Sequence, residues 1–179
     1  MVDIEDITLW TAVATWGLAV GTVALLYWQT RQNYRLNSAN AVMILRERFD
    51  SPRMRRARRS LASSWLSGKV DDITSLEVLT FFELMGAQTA SGVLDERMVW
   101  EAFGGWITAY YWSLRNPVDM IGDIRAKMVD PLIFHEFEWL YNRMIEIDRQ
   151  LLGSEIDTGP QLTQESRRFL ERESRLEAI

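Results

Sequence analysis

The first apolar stretch of the chain is also its longest. Ile7 to Trp28 carries no charge over twenty-two residues, eight of them Ile, Leu or Val. Folded as one helix at about 1.5 Å per residue, such a run matches the hydrocarbon thickness of a bilayer. Trp10 lies near one end, and Tyr27 and Trp28 lie at the other, where an aromatic belt would sit. A membrane-spanning helix is the expectation. Residues 29–50 contain neither proline nor glycine, so the helix is expected to run on beyond the span, with Val42, Leu45 and Phe49 at 3,4 spacing on one side. It stops at Ser51-Pro52, where serine can cap and proline can occupy the first turn of a new helix.

The polar and apolar positions that follow keep the helical period. Pro52 to about Ser67 shows a narrow strip of Met54, Ala57, Leu61 and Trp65. Thr74-x-x-Glu77 reads as a capping box opening a third helix, Ser75 to about Ser91. Val78, Leu79, Phe81, Phe82, Leu84 and Met85 make this helix apolar on more than one side, which predicts the centre of a bundle. A fourth helix, Asp95 to about Arg115, carries Val99, Phe103, Trp106, Ile107, Tyr110 and Leu114 on one face. The short 91–94 connection predicts that it lies antiparallel beside the third.

Asn116-Pro117 starts a shorter helix ending near Val129, and Asp130-Pro131 opens the next, which runs to Leu152. Ile133, Phe137, Leu140, Met144, Ile147 and Leu151 form its seam. A polar linker from Gly153 to Pro160 precedes a charged helix, Thr163 to Ile179, and the core is expected to close near Leu152. No stretch alternates with the period of a strand. The fold class is therefore all-α: a single N-terminal transmembrane helix continuing into a cytoplasmic helical bundle of about five to six helices. The chain divides into a tail and anchor (residues 1–30), a bundle (31–152), and a linker with a charged helix (153–179).

Charge gives the expected topology. The net charge of −5 conceals nine arginines in residues 31–59, whereas the acids Asp3, Glu5 and Asp6 precede the apolar run. Basic residues beside a span stay on the cytoplasmic side, so the N-terminus is expected outside and the bundle on the cytoplasmic face of the inner membrane. Acidic rather than basic residues ahead of the run argue against a cleaved signal peptide. The absence of cysteine excludes disulfides, thiolate metal sites and cysteine nucleophiles.

Few residues carry candidate chemistry. His135-Glu136-Phe137-Glu138 begins like a zinc-protease motif, but Trp139 stands where the second histidine is needed, and His135 points away from the apolar seam. Glu83 and Glu101 lie among apolar neighbours on adjacent helices. They could hold a cation or move a proton, or each could pair with Arg97, Arg115 or a tyrosine hydroxyl to fix the hairpin. Gly104-Gly105 in mid-helix allows either close approach of Gly86 or Ala87, or a small pocket beside Trp106.

Arg53, Arg55, Arg56, Arg58 and Arg59 make a basic face suited to salt bridges or lipid head groups. The overall acidity argues against nucleic acid. In the span, Ala14, Gly17, Gly21 and Ala24 form a small-residue seam on which two copies could associate. No metal or cofactor is expected.

The chain resembles a group of uncharacterised bacterial proteins known as a domain of unknown function, with one N-terminal span, an Arg-rich segment and a helical hairpin. The resemblance rests on Arg48-Phe49, Phe81–Ala87 (FFELMGA), the Gly92-Val93-Leu94-Asp95 turn, Phe103-Gly104-Gly105-Trp106 and Tyr111-Trp112. It implies architecture and no mechanism. The expected function is a membrane-anchored, non-enzymatic module that recognises a protein partner. The alternatives are an ion- or proton-handling site at Glu83 and Glu101, and lipid-headgroup binding through the Arg-rich helix.

Overall fold

The computed structural model describes residues 4–67, 73–115, 119–153 and 160–176; the side chains of 4–14, 73–75, 152 and 160–163 lie outside the described set. The described residues form seven helices and no strand. The chain divides into two compact units, Met1–Ser38 and Ala39–Ile179.

The first unit is the N-terminal part of α1 (Ile4–Phe49). From Trp16 to Trp28 its large apolar side chains are all exposed. Among the described residues, no helix is long and apolar enough to cross a membrane. The described side chains of α1 begin at Thr15, so the apolar stretch they provide ends at Trp28 after about 21 Å. The first part of the expected span, Ile7–Ala14, lies outside them.

The second unit holds the end of α1 with α2 (Pro52–Leu66), α3 (Ile73–Ala90), α4 (Glu96–Arg115), α5 (Met120–Met128), α6 (His135–Leu152) and α7 (Pro160–Glu173). Local chemistry fixes several boundaries. Ser51 accepts a hydrogen bond from the Met54 N–H with Pro52 in the first turn, and Asp95 accepts from the N–H groups of Arg97 and Met98 at the start of α4. α3 begins one residue ahead of Thr74, whose side chain, and with it the expected capping box, lies outside the described residues; Glu77 pairs with Arg53 at 2.7 Å.

The helices close a ring. α3 packs mainly on α6 and α2, α4 packs on α6 and α7, and α7 packs on α2. The expected α3–α4 hairpin is only a minor contact, because α6 lies against both. Phe49, the last residue of α1, is fully buried, with its ring centroid 5.3–5.8 Å from those of Phe81, Phe82, Phe103 and Trp106. Phe82 stacks on Phe137 of the α6 seam, in which Phe137, Leu140 and Met144 are fully buried. The core extends past Leu152, contrary to expectation, because Leu170 of α7 is completely buried and Phe169 meets Tyr110 edge-on.

α6 starts later than its sequence suggests. Asp130 accepts from the Leu132 N–H, residues 131–134 form a turn, and Phe134 takes φ 60°, so the helix begins at His135. Phe134 supplies no side-chain cap. Glu83 of α3 does so from across the interface, accepting the Phe137 N–H at 2.7 Å. The two helices can approach this closely because residue 86 is glycine: a Cβ there would overlap the Glu136 backbone carbonyl.

Candidate functional site

The most elaborate polar cluster of the molecule is buried where α7 meets α2 and α4. Arg58 follows Met54 by four residues and precedes Leu61 by three, so it lies on the inward strip of α2 and is only 4% exposed. Its guanidinium donates from Nε to Glu173 Oε2 at 2.7 Å and from Nη2 to Oε1 at 2.8 Å, a bidentate pair. The plane lies 4.1 Å from the Phe49 ring centroid, and Nη1 donates to the Phe49 carbonyl at 3.4 Å. Tyr110 of α4 completes the cluster, its hydroxyl donating to Glu173 Oε2 at 2.5 Å.

Electrostatics fix the protonation of this cluster. Burial works against the Arg58 charge, but the hydrogen bonds and charge of Glu173 outweigh it and hold the guanidinium above its ordinary value. Burial pushes the Tyr110 phenol well above its ordinary value, with the Glu173 charge adding to the effect, so the hydroxyl remains a donor. The Glu173 carboxylate is thus committed to an arginine fork and a phenol within the fold.

Glu173 also borders an open groove of about 940 Å³ along α4 and α7, with Trp100, Gly105, Trp106, Asp148 and Phe169 among its walls. Trp100 Nε1 donates to Asp148 Oδ1 at 2.7 Å, and the Arg46 guanidinium lies 4.5 Å from the Trp106 ring centroid. Of the two readings of Gly104-Gly105, the structure has the pocket beside Trp106. A Cβ on Gly105 would meet nothing within 4 Å, and one on Gly104 would meet the Trp100 indole of its own helix. Gly86 serves α6 instead.

The two candidate acids are not brought together as a buried pair. Glu83 is committed to capping α6, whereas Glu101 is exposed on α4 and pairs with Arg97 one turn away. Sequence placed both among apolar residues; Glu101 leaves α4 on its exposed side, whereas Glu83 shares the face of Leu79 and Gly86 that meets α6. The Arg-rich face also loses members: Arg58 is buried and Arg53 pairs with Glu77, while Arg56 and Arg59 are exposed and Arg55 is half-buried. His135 is exposed, as its position opposite the seam predicts. In α1, Gly17 and Gly21 have nothing within 4 Å and Ala24 is exposed, while the Ala14 side chain lies outside the described residues.

Among the described residues, no three His, Cys, Asp or Glu side chains are grouped to hold a metal. The sequence suggested the Tyr110 hydroxyl as a partner for Glu83 or Glu101, not for Glu173, and read Arg58 as part of the basic face; its register with Met54 and Leu61 is the signal that points to a buried acid.

A family model described as a domain of unknown function (DUF4760) matches residues 4–144. No curated protein and no solved structure matches the chain.

Proposed function

The chain belongs to this domain-of-unknown-function family, and on the strength of its own residues we propose that it is a membrane-anchored, non-enzymatic module whose helical unit recognises a protein partner. The observation that carries the reading is the uncharged run of α1. Trp16, Leu18, Val20, Val23, Leu25, Leu26, Tyr27 and Trp28 are all more than half exposed, a band of apolar surface that water does not tolerate and lipid does. The nine arginines that follow, against acids alone before it, orient the N-terminus outward and the unit from Ala39 onward into the cytoplasm. The aromatic groove beside α4 supplies the partner surface, since it combines two indoles and a phenyl ring with acidic rims.

The native chain has no cysteine, so single cysteines report topology cleanly. A cysteine at Asp3 is expected to react with a membrane-impermeant maleimide in intact cells, and one at Lys127 only after lysis. The reverse pattern refutes the orientation, and recovery of the chain in the soluble fraction refutes the anchor. A photo-crosslinking residue at Gly105 should trap one discrete protein in membranes, and one at exposed Val129 should not. Absence of any adduct at Gly105 refutes the partner reading. A small-residue seam at Gly17 and Gly21 adds self-association within the bilayer, which Gly17→Ile should weaken in a membrane association reporter while Val20→Ile leaves it intact.

A further inference from the structure

Among the described residues α7 packs on α2 and α4, and its buried side chains there are Ser166, Leu170 and Glu173. Among the described residues α2 and α4 do not pack on one another, so α7 fills the space between them. The seat it occupies is elaborately furnished. Phe49 backs the Arg58 guanidinium, Tyr110 aims its hydroxyl at the same point, and both converge on one carboxylate. Among the described side chains the occupant is held by Leu170, by Phe169 against Tyr110, and by one highly specific charge contact that favours selectivity.

We propose that the α2–α4 seat is a helix-binding site that α7 plugs from within the same chain, and that its external ligand is an amphipathic helix from another protein. That ligand presents two adjacent apolar residues followed, three positions after the second, by a carboxylate, the pattern of Phe169-Leu170-x-x-Glu173. Charge complementarity selects the ligand. When α7 leaves, Arg58 faces the opening with Tyr110 beside it; Nη1 keeps the Phe49 carbonyl and lies 3.9 Å from Asp50, but a neutral or basic helix would leave Nε and Nη2 without the carboxylate they donate to. α7 belongs to the same chain and therefore competes intramolecularly, at a high effective concentration. An external helix binds in proportion to the fraction of molecules in which the seat is open. The inference rests on the partner reading above and adds the chemistry of the partner and its control by α7.

The probe is a fluorescein-labelled peptide of residues 160–176, titrated into the full chain in detergent micelles and read by anisotropy. Leu170→Asp and, separately, Glu173→Lys in the chain release α7 by placing a charge in the apolar seat or a cation against Arg58. Either variant is expected to bind the peptide at least tenfold more tightly than the wild-type chain does. A peptide carrying Glu173→Gln is expected to bind the Leu170→Asp chain at least tenfold more weakly than the native peptide. Adding Arg58→Met to that chain is expected to abolish the difference between the two peptides.

Equal binding of the two peptides, or no binding to a released chain that keeps its helical circular dichroism, overturns the proposal. If both released chains fail to fold, amide exchange in the wild-type chain decides: α7 is expected to exchange at least a hundredfold faster than Phe81 and Phe82, and equal protection overturns the proposal. A wild-type dimer that disappears in the Leu170→Asp chain would make a second copy's α7 the occupant and overturn the external helix. Peptide binding without any adduct at Gly105 would leave the seat standing and remove the partner reading.

Discussion

Replacing Glu173 by glutamine is the most informative perturbation of the second unit. The change keeps the shape of the side chain and removes the charge, leaving the Arg58 side chain, 5% exposed, against a neutral amide. Breaking one side of a buried ion pair costs about 3–5 kcal/mol when the remaining charge cannot reach water. Here an escape exists, because α7 can lift away and let Arg58 hydrate. The loss is then capped by the docking energy of α7, to which full burial of Leu170 contributes about 1.5–3 kcal/mol and Phe169 a fraction of that.

Glu173→Gln should therefore cost about 3 kcal/mol, near the lower end of the ion-pair range, and lower the Tm of the detergent-solubilised chain by about 10 °C in far-UV circular dichroism. Arg58→Met should cost a similar amount, since it strands the carboxylate. The double variant Arg58→Met/Glu173→Leu removes both charges together and loses the hydrogen bonds of Tyr110 and of the Phe49 carbonyl, about 1 kcal/mol each, so its Tm should lie within about 7 °C of wild type. Destabilisation that adds up across the double variant would refute the assignment of Arg58 and Glu173 as a coupled pair, as would a Tm change below 2 °C in Glu173→Gln.

Three further outcomes follow from local geometry. Gly86→Ala should cost about 1–3 kcal/mol in urea unfolding, because its Cβ collides with the Glu136 backbone, whereas Gly105→Ala should gain about 0.5–1 kcal/mol because nothing lies within 4 Å. Val129→Asn should raise Tm by a few degrees, since a β-branched residue 88% exposed at φ 55° bears a left-handed backbone cost of about 1–2 kcal/mol that asparagine tolerates. Glu138 is held below the usual carboxylate range: burial opposes its charge, but hydrogen bonds from Arg125 and Tyr111 prevail. Its contribution is present above its unfolded pKa and is lost as pH falls through the depressed folded value. The Tm advantage of wild type over Glu138→Gln should therefore hold at pH 7 and shrink below about pH 4.

The elements whose signals are local were legible from sequence. Ser51-Pro52 and Asp95 mark helix starts through groups within three residues, and the seam Phe137, Leu140, Met144 declares its buried face by spacing alone. Contacts made by polar residues across the fold were not legible. Glu83 reads as an acid stranded on an apolar helix, yet its partner is a backbone N–H of α6, which no side-chain pattern reveals. α7 reads as a solvated charged helix because its buried strip holds a serine and a glutamate beside one leucine. The candidate site was not legible: Arg58 reads as one of five arginines on a basic face, and an acid 115 residues away is one among many until the fold selects it. The late start of α6 was hidden because Phe134 adopts a left-handed conformation that its residue type disfavours.

The separation between Arg58 and Glu173 also has a meaning in time. A ribosome adding about 5–20 residues per second takes roughly 6–23 s to traverse the 115 residues between them. Throughout that interval the nascent chain holds Arg58 with Asp50 at 3.9 Å from Nη1 but without the carboxylate that accepts from Nε and Nη2. The ring thus stays open on the α2 side while α3, α4 and α6 assemble, and its last helix arrives as a latch. Any cellular helix carrying a suitably placed carboxylate meets the seat first during synthesis, before the chain's own segment exists to compete.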